Sequence, residues 1–132
     1  MSKDRIVSIL IKSKTISEAY NMALRFPDDP LYQLIRDEKI KAFNSQREST
    51  QSLDFHDCDF RGLDLRGLNA AGINFSGCYF RAADLRGIDF SQSNMDGVSL
   101  ASAQVSGCYF PKNIDASEIG VSVDKGIRMR AR

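Results

Sequence analysis

Residues 53–110 read LDFHD CDFRG LDLRG LNAAG INFSG CYFRA ADLRG IDFSQ SNMDG VSLAS AQVSG CYF. Stepping through them by five from Phe55 gives Phe55, Phe60, Leu65, Ala70, Phe75, Phe80, Leu85, Phe90, Met95, Leu100, Val105 and Phe110, all apolar. Two positions before each lies a second small or apolar series: Leu53, Cys58, Leu63, Leu68, Ile73, Cys78, Ala83, Ile88, Val98, Ala103 and Cys108, with Ser93 its single break. Polar residues or tyrosine sit between the two series, and glycine follows two positions after the inner residue at 62, 67, 72, 77, 87, 97 and 107. A period of five matches neither the 3.6 of a helix nor the 2.0 of an extended strand; it matches three extended residues and a two-residue corner. Glycine suits the corner because it reaches positive φ cheaply. One such unit cannot bury its own apolar side chains, so successive units must wind around a common axis and stack.

This register is plainest in Asp64-Leu65-Arg66-Gly67, Ala83-Asp84-Leu85-Arg86-Gly87 and Ile88-Asp89-Phe90, and it resembles the pentapeptide-repeat family over residues 53–110. The resemblance implies a mainly β fold, a right-handed quadrilateral β-helix with four repeats per turn and so about three coils. It implies little about activity, since members range from DNA mimics that inhibit topoisomerases to adaptors with no known chemistry. The C-terminal Gly-Cys-Tyr-Phe-Pro-Lys run and the segment after it resemble the ends of small members from photosynthetic bacteria.

The flanks lack the period. Residues 1–52 read as an α-helical N-terminal cap or docking region. Thr15-Ile16-Ser17-Glu18 has the form of a capping box, residues 5–11 read as a short helix, and Asp29-Pro30 opens a helix carrying Leu31, Leu34 and Ile35, then Ile40 and Phe43, that fades in the polar run 44–52. Residues 111–132 read as a C-terminal cap helix and basic tail: Asp115-Ala116-Ser117-Glu118 is box-like, Lys125-Gly126 is a stop, and Ile127 to Arg132 alternate apolar and basic.

Candidate chemistry is sparse. Cys58, Cys78 and Cys108 all fall on inward positions, which makes them small hydrophobes; with the four repeats per turn that the resemblance implies, Cys58 and Cys78 stack within disulfide reach, and whether they pair stays open. The single histidine, His56, follows an inward position and points outward, so no metal ligand set and no cofactor is expected. One His and three inward Cys do not assemble a nucleophile, base and orienting group, so the chain reads as no enzyme. The recurring aspartates read as side chains bonding nearby backbone. No apolar stretch approaches the roughly 20 residues of a membrane span and the N-terminus lacks the order of a secretory signal, which makes the cytoplasm the expected location.

The 132 residues carry 18 Lys+Arg and 17 Asp+Glu, a net +1, so partners must be argued locally. Residues 53–110 hold seven aspartates and four arginines, a net −3, thin for a DNA mimic and interleaved with bases. Nucleic acid is therefore the alternative, as a topoisomerase modulator by mimicry or a DNA contact through the basic tail, and the first reading is a non-enzymatic interaction or scaffold protein whose partner is another protein, with a homodimer open. Folded at twenty residues per turn, Arg61 and Arg81 share one column and Arg66 and Arg86 the next. In this register only Arg66 and Arg86 have same-face aspartates. That leaves Arg61 and Arg81, with Asp59 and Tyr79 beside them, as the better contacts for an acidic partner, and Arg66 and Arg86 behind them.

Overall fold

A computed structural model describes residues 24–48 and 52–132. The helices expected from residues 5–11 and from Thr15 to Leu24 lie outside the described residues, apart from Leu24, which is buried.

Three-residue extended arms and corners alternate from Leu53 to Phe110. The arms pair in parallel with the residue twenty positions on: Leu53–Asp54 (β1) with Ile73–Asn74 (β2), then Asp59 with Tyr79 and Tyr79 with Ser99, Asp64 with Asp84 and Asp84 with Gln104, Asn74 with Asn94, Asp89 with Tyr109. Backbone rungs such as Phe60 N to Tyr79 O and Phe80 N to Ser99 O, both 2.9 Å, tie each turn to the next. Every apolar residue of the five-step series from Phe55 to Leu100 is buried. Ser93, the outlier of the second series, stays half-buried because its hydroxyl donates to the Ala70 carbonyl at 2.7 Å. Phe60 stacks on Phe80 with centroids 5.2 Å apart, and Phe75 meets both edge-on, so rings fill the column between small residues such as Ala70 and Ala83.

Corners need positive φ. At Gly77 (φ +71°) an added Cβ would run into the Asp57 carboxylate. Asp57, Ala82 and Ser102 also adopt φ of 55° to 59° at corner positions, a conformation costing a non-glycine residue roughly 1–2 kcal/mol that the stacked rungs on either side enforce.

The single helix expected after Asp29 is two. Helix α1 (Pro30–Arg36) starts as read, with the Asp29 carboxylate accepting from Leu31 N at 2.9 Å and proline at its first position. It stops at Asp37 because Glu38 turns left-handed (φ 59°), letting Glu38 N reach Ile35 O and Lys39 N reach Leu34 O. Helix α2 (Ile40–Gln46) follows at a new angle. Tyr32, Ile35 and Phe43 then pack against the first turn of repeats, with Tyr32 and Phe60 ring centroids 5.5 Å apart and Phe43 and Phe55 at 6.4 Å.

Side chains from this helix pair satisfy backbone groups that the first turn leaves without a neighbouring rung. Tyr32 Oη donates to Asp59 O at 2.8 Å, and the Glu38 carboxylate accepts from Asp64 N. Asn44 gives Nδ2 to Gly67 O and takes Asn69 N, both at 2.9 Å. Arg47, 4% exposed, donates to Asn69 O at 2.7 Å and Ala71 O at 2.5 Å. Asn44 and Arg47, from the polar run read as a fading helix, are thus hydrogen-bonding groups for a strand edge.

At the other end, helix α3 (Ala116–Lys125) closes on Gly126 at φ 75°, but the box-like start does not form a capping box. Asp115 turns to Arg132 (3.0 Å) instead of the helix N-terminus, and Glu118 accepts from Arg130. The tail adds a rung beside the last turn through Gly97 N to Met129 O (2.7 Å) and Met129 N to Val98 O (2.9 Å). The alternation does not carry through the start of the tail: Met129 enters the core, while Ile127, two residues earlier, stays exposed.

Candidate partner-binding surface

Aspartate-x-arginine recurs on the repeats, and its geometry follows from local backbone. Each aspartate Oδ1 accepts the N–H two residues on, at 3.0 Å for Asp59 with Arg61 and 3.2 Å for both Asp64 with Arg66 and Asp84 with Arg86. The same turn places the arginine fork on the carboxylate, with Nε and Nη2 bonds of 2.9 and 2.7 Å in all three pairs. Arg66 also reaches Asp84 one turn away at 3.3 Å, which joins two pairs into a ladder. Paired this way, the arginine side chains pull the Asp64 carboxyl down to about 2 and hold Asp84 below the usual carboxylate range.

Arg61 was expected to lack such a partner, and it does not. Asp59, 2% exposed, holds it in a two-point pair, and its guanidinium lies 5.7 Å from the Tyr79 ring centroid. The column reading set the two apart because it compared residues across faces, whereas the pairing runs two residues along the chain. Arg81 is the one of the four with tyrosine, not aspartate, two positions earlier; among the described residues its exposed side chain has no ion pair or hydrogen bond. Arg36, which sequence reasoning missed, comes in from the end of α1 and donates to Asp59 O at 3.3 Å. Arg36, Asp59, Arg61, Gly62, Arg81 and Ala82 line one open groove of about 400 Å³. No periodic signal in the repeats marks Arg36, since it belongs to a different element.

The other candidates are placed as follows. Cys58 and Cys78 are buried free thiols, and Cys108 is a half-buried one. Burial pushes the Cys58 thiol up to about 12 and raises Cys78 and Cys108 too, while Cys78 Sγ donates to Phe55 O at 2.8 Å. His56 points outward, its Nδ1 2.8 Å from Asp54 Oδ1, and Arg25 Nη1 donates to the His56 carbonyl at 2.8 Å. Among the described residues no group of three or more His, Cys, Asp or Glu could hold a metal ion, and no helix is long and apolar enough to cross a membrane. In the basic tail, Arg128 donates to Gly77 O and Gly97 O, Arg130 pairs with Glu118 and Arg132 with Asp115.

Five-residue repeats whose arms pair at an interval of twenty, with arginines outside and a column of rings inside, define a β-helix-like repeat protein. The family model of pentapeptide repeats matches residues 73–110 with eight copies, and the chain carries repeats of that family. No curated protein and no solved structure matches it.

Proposed function

We propose that this chain is a non-enzymatic interaction protein of the cytoplasm, built on a right-handed quadrilateral solenoid of about three coils. Its N-terminal helices close one end and its C-terminal helix and tail cover part of the other, so that the arginine face is a rigid display. Four columns of parallel rungs, beginning at Asp54, Asp59, Asp64 and Asp89, support the four-sided shape.

The observation that carries the functional reading is Arg81: an exposed guanidinium with no ion pair or hydrogen bond among the described residues, beside the Arg61–Tyr79 contact. A rigid scaffold presents such groups at small entropic cost, and arginine with tyrosine is the pairing that interface centres favour. Arg66 and Arg86 are already matched by Asp64 and Asp84, so they contribute orientation more than attraction. Arg81→Glu tests the reading cleanly. Arg61→Glu does not, because it would set a second acid against the buried Asp59. Affinity capture from the native cell with wild type, Arg81→Glu and Arg86→Glu should return a protein that Arg81→Glu loses several-fold and Arg86→Glu retains. Equal recovery by all three would make the face a solvated one.

A further inference from the structure

We infer that the groove between Arg36, Arg61 and Arg81 binds a phosphoryl dianion carried on a side chain of the partner protein, an assignment that rests on reading the chain as a protein-binding module. Three arginines and one aspartate line this single opening. The carboxylate, Asp59, is already spent on Arg61 through a two-point pair, which leaves an excess of two positive charges. Two of the three guanidinium groups are held in place before any ligand arrives: Arg36 by the Asp59 carbonyl, Arg61 by the Asp59 carboxylate and the Tyr79 ring. Arg81, on the next turn, supplies the adjustable third, and holding two of three forks in advance lowers the ordering cost of binding.

The charge of the ligand follows from that excess. A single carboxylate would match one of the two unneutralised charges; a phosphoryl group near neutral pH carries close to −2 and three strong acceptor oxygens, which suit several guanidinium forks at once. A second open groove offers a contrast, since Lys39, Lys41 and Arg66 line it with Glu38 and Asp64 and the excess there is one charge rather than two. A long polyanion such as duplex DNA fits less well than a single group. Residues 53–110 carry a net −3, so phosphates beyond the groove would meet repulsion, while a lone dianion sits within the roughly 10 Å over which the groove's own charges act.

The test uses the full chain in calorimetric titrations against a phosphoserine peptide with uncharged flanks, its unphosphorylated and glutamate counterparts, inorganic phosphate and a short DNA duplex. The phosphopeptide should bind, the glutamate peptide about tenfold more weakly, and inorganic phosphate more weakly still at the same residues. Arg81→Gln and Arg36→Gln, each first shown to melt like wild type, should lose about tenfold in phosphopeptide affinity. Arg86→Gln, the same charge change one column away, should lose less than about twofold. Equal affinity for the phosphoserine and glutamate peptides, or an Arg86→Gln loss matching that of Arg81→Gln, overturns the phosphoryl assignment and leaves the interaction reading standing on the capture experiment. No phosphopeptide binding by wild type overturns the assignment as well. Duplex binding without phosphopeptide binding overturns both.

Discussion

Truncating Phe80 to alanine should destabilise this protein more than almost any other single change. The ring is fully buried, stacked on Phe60 at 5.2 Å and edge-on to Phe75 at 5.5 Å and to Phe90 at 6.3 Å. A buried phenylalanine removes roughly 150–250 Å² from water, and at about 25 cal/mol per Å² most of that contribution is lost on truncation. Collapse around the void is opposed by the rungs above and below, Phe80 N to Ser99 O and Phe60 N to Tyr79 O, which hold the neighbouring turns apart. The expected cost is therefore about 3–5 kcal/mol, the range for phenylalanine deletions at sites that cannot relax. Urea melts followed by far-UV circular dichroism measure it, with Phe26→Ala as the internal control. Phe26 is 57% exposed, so the same chemical change there should stay within about 0.5 kcal/mol. A Phe80→Ala cost below about 1 kcal/mol, or equal costs at the two sites, would refute the inward register and the closed ring column together.

Three further outcomes are expected. Arg47→Met keeps the apolar stem but leaves the carbonyls of Asn69 and Ala71 without their donor, and should lower stability in denaturant melts by roughly 1–3 kcal/mol; no change would mean that water serves that edge equally well. The Asp64 carboxyl, depressed from 3.8 to about 2 by its bonds to Arg66, should show a carboxyl carbon titration midpoint well below that of an exposed aspartate. Because the folded-state value is the lower one, whatever stability the pair gives is present above about pH 4 and lost as pH falls towards 2, and Arg66→Gln should return the midpoint towards normal. Cys58 and Cys78, buried and with thiols held protonated, should resist alkylation at pH 8 in the native protein and react only on unfolding, with half-buried Cys108 the first to go; rapid native labelling of Cys58 would contradict its burial.

The pairing rule at Asp59, Asp64 and Asp84 shows how far the chain can be read without coordinates. A carboxylate two residues before an arginine at a corner satisfies a backbone N–H and an ion pair in one local turn, and the signal D-x-R was present three times. Looking for partners across columns instead of along the chain hid it for Arg61 and overstated that residue as a free contact. The break at Glu38 was harder to see. Nothing local in Arg36-Asp37-Glu38-Lys39 demands a left-handed residue, and the turn is supported by Asp64 N, 26 residues away, whose hydrogen bond the Glu38 carboxylate accepts.

What the sequence determined alone is whatever repeats: the inward and outward sets, the corners and the burial of Phe80; the interval of twenty that puts Asp59 beside Tyr79 and Asp64 beside Asp84 came from the family resemblance. Periodicity is enough for these because every unit solves the same steric problem, apolar side chains in and polar ones out, and the solution is written once per five residues. The tertiary structure decided what happens where the repeat stops. Arg47 reaching Asn69 O, Arg128 reaching Gly77 O, Met129 completing a rung on Val98 and Arg36 joining Arg61 and Arg81 are contacts between elements with no shared period. An unpaired strand edge must be satisfied by some donor or acceptor, but which side chain does so depends on where the flanking helices settle, and that is a property of the packed molecule rather than of any window of its sequence.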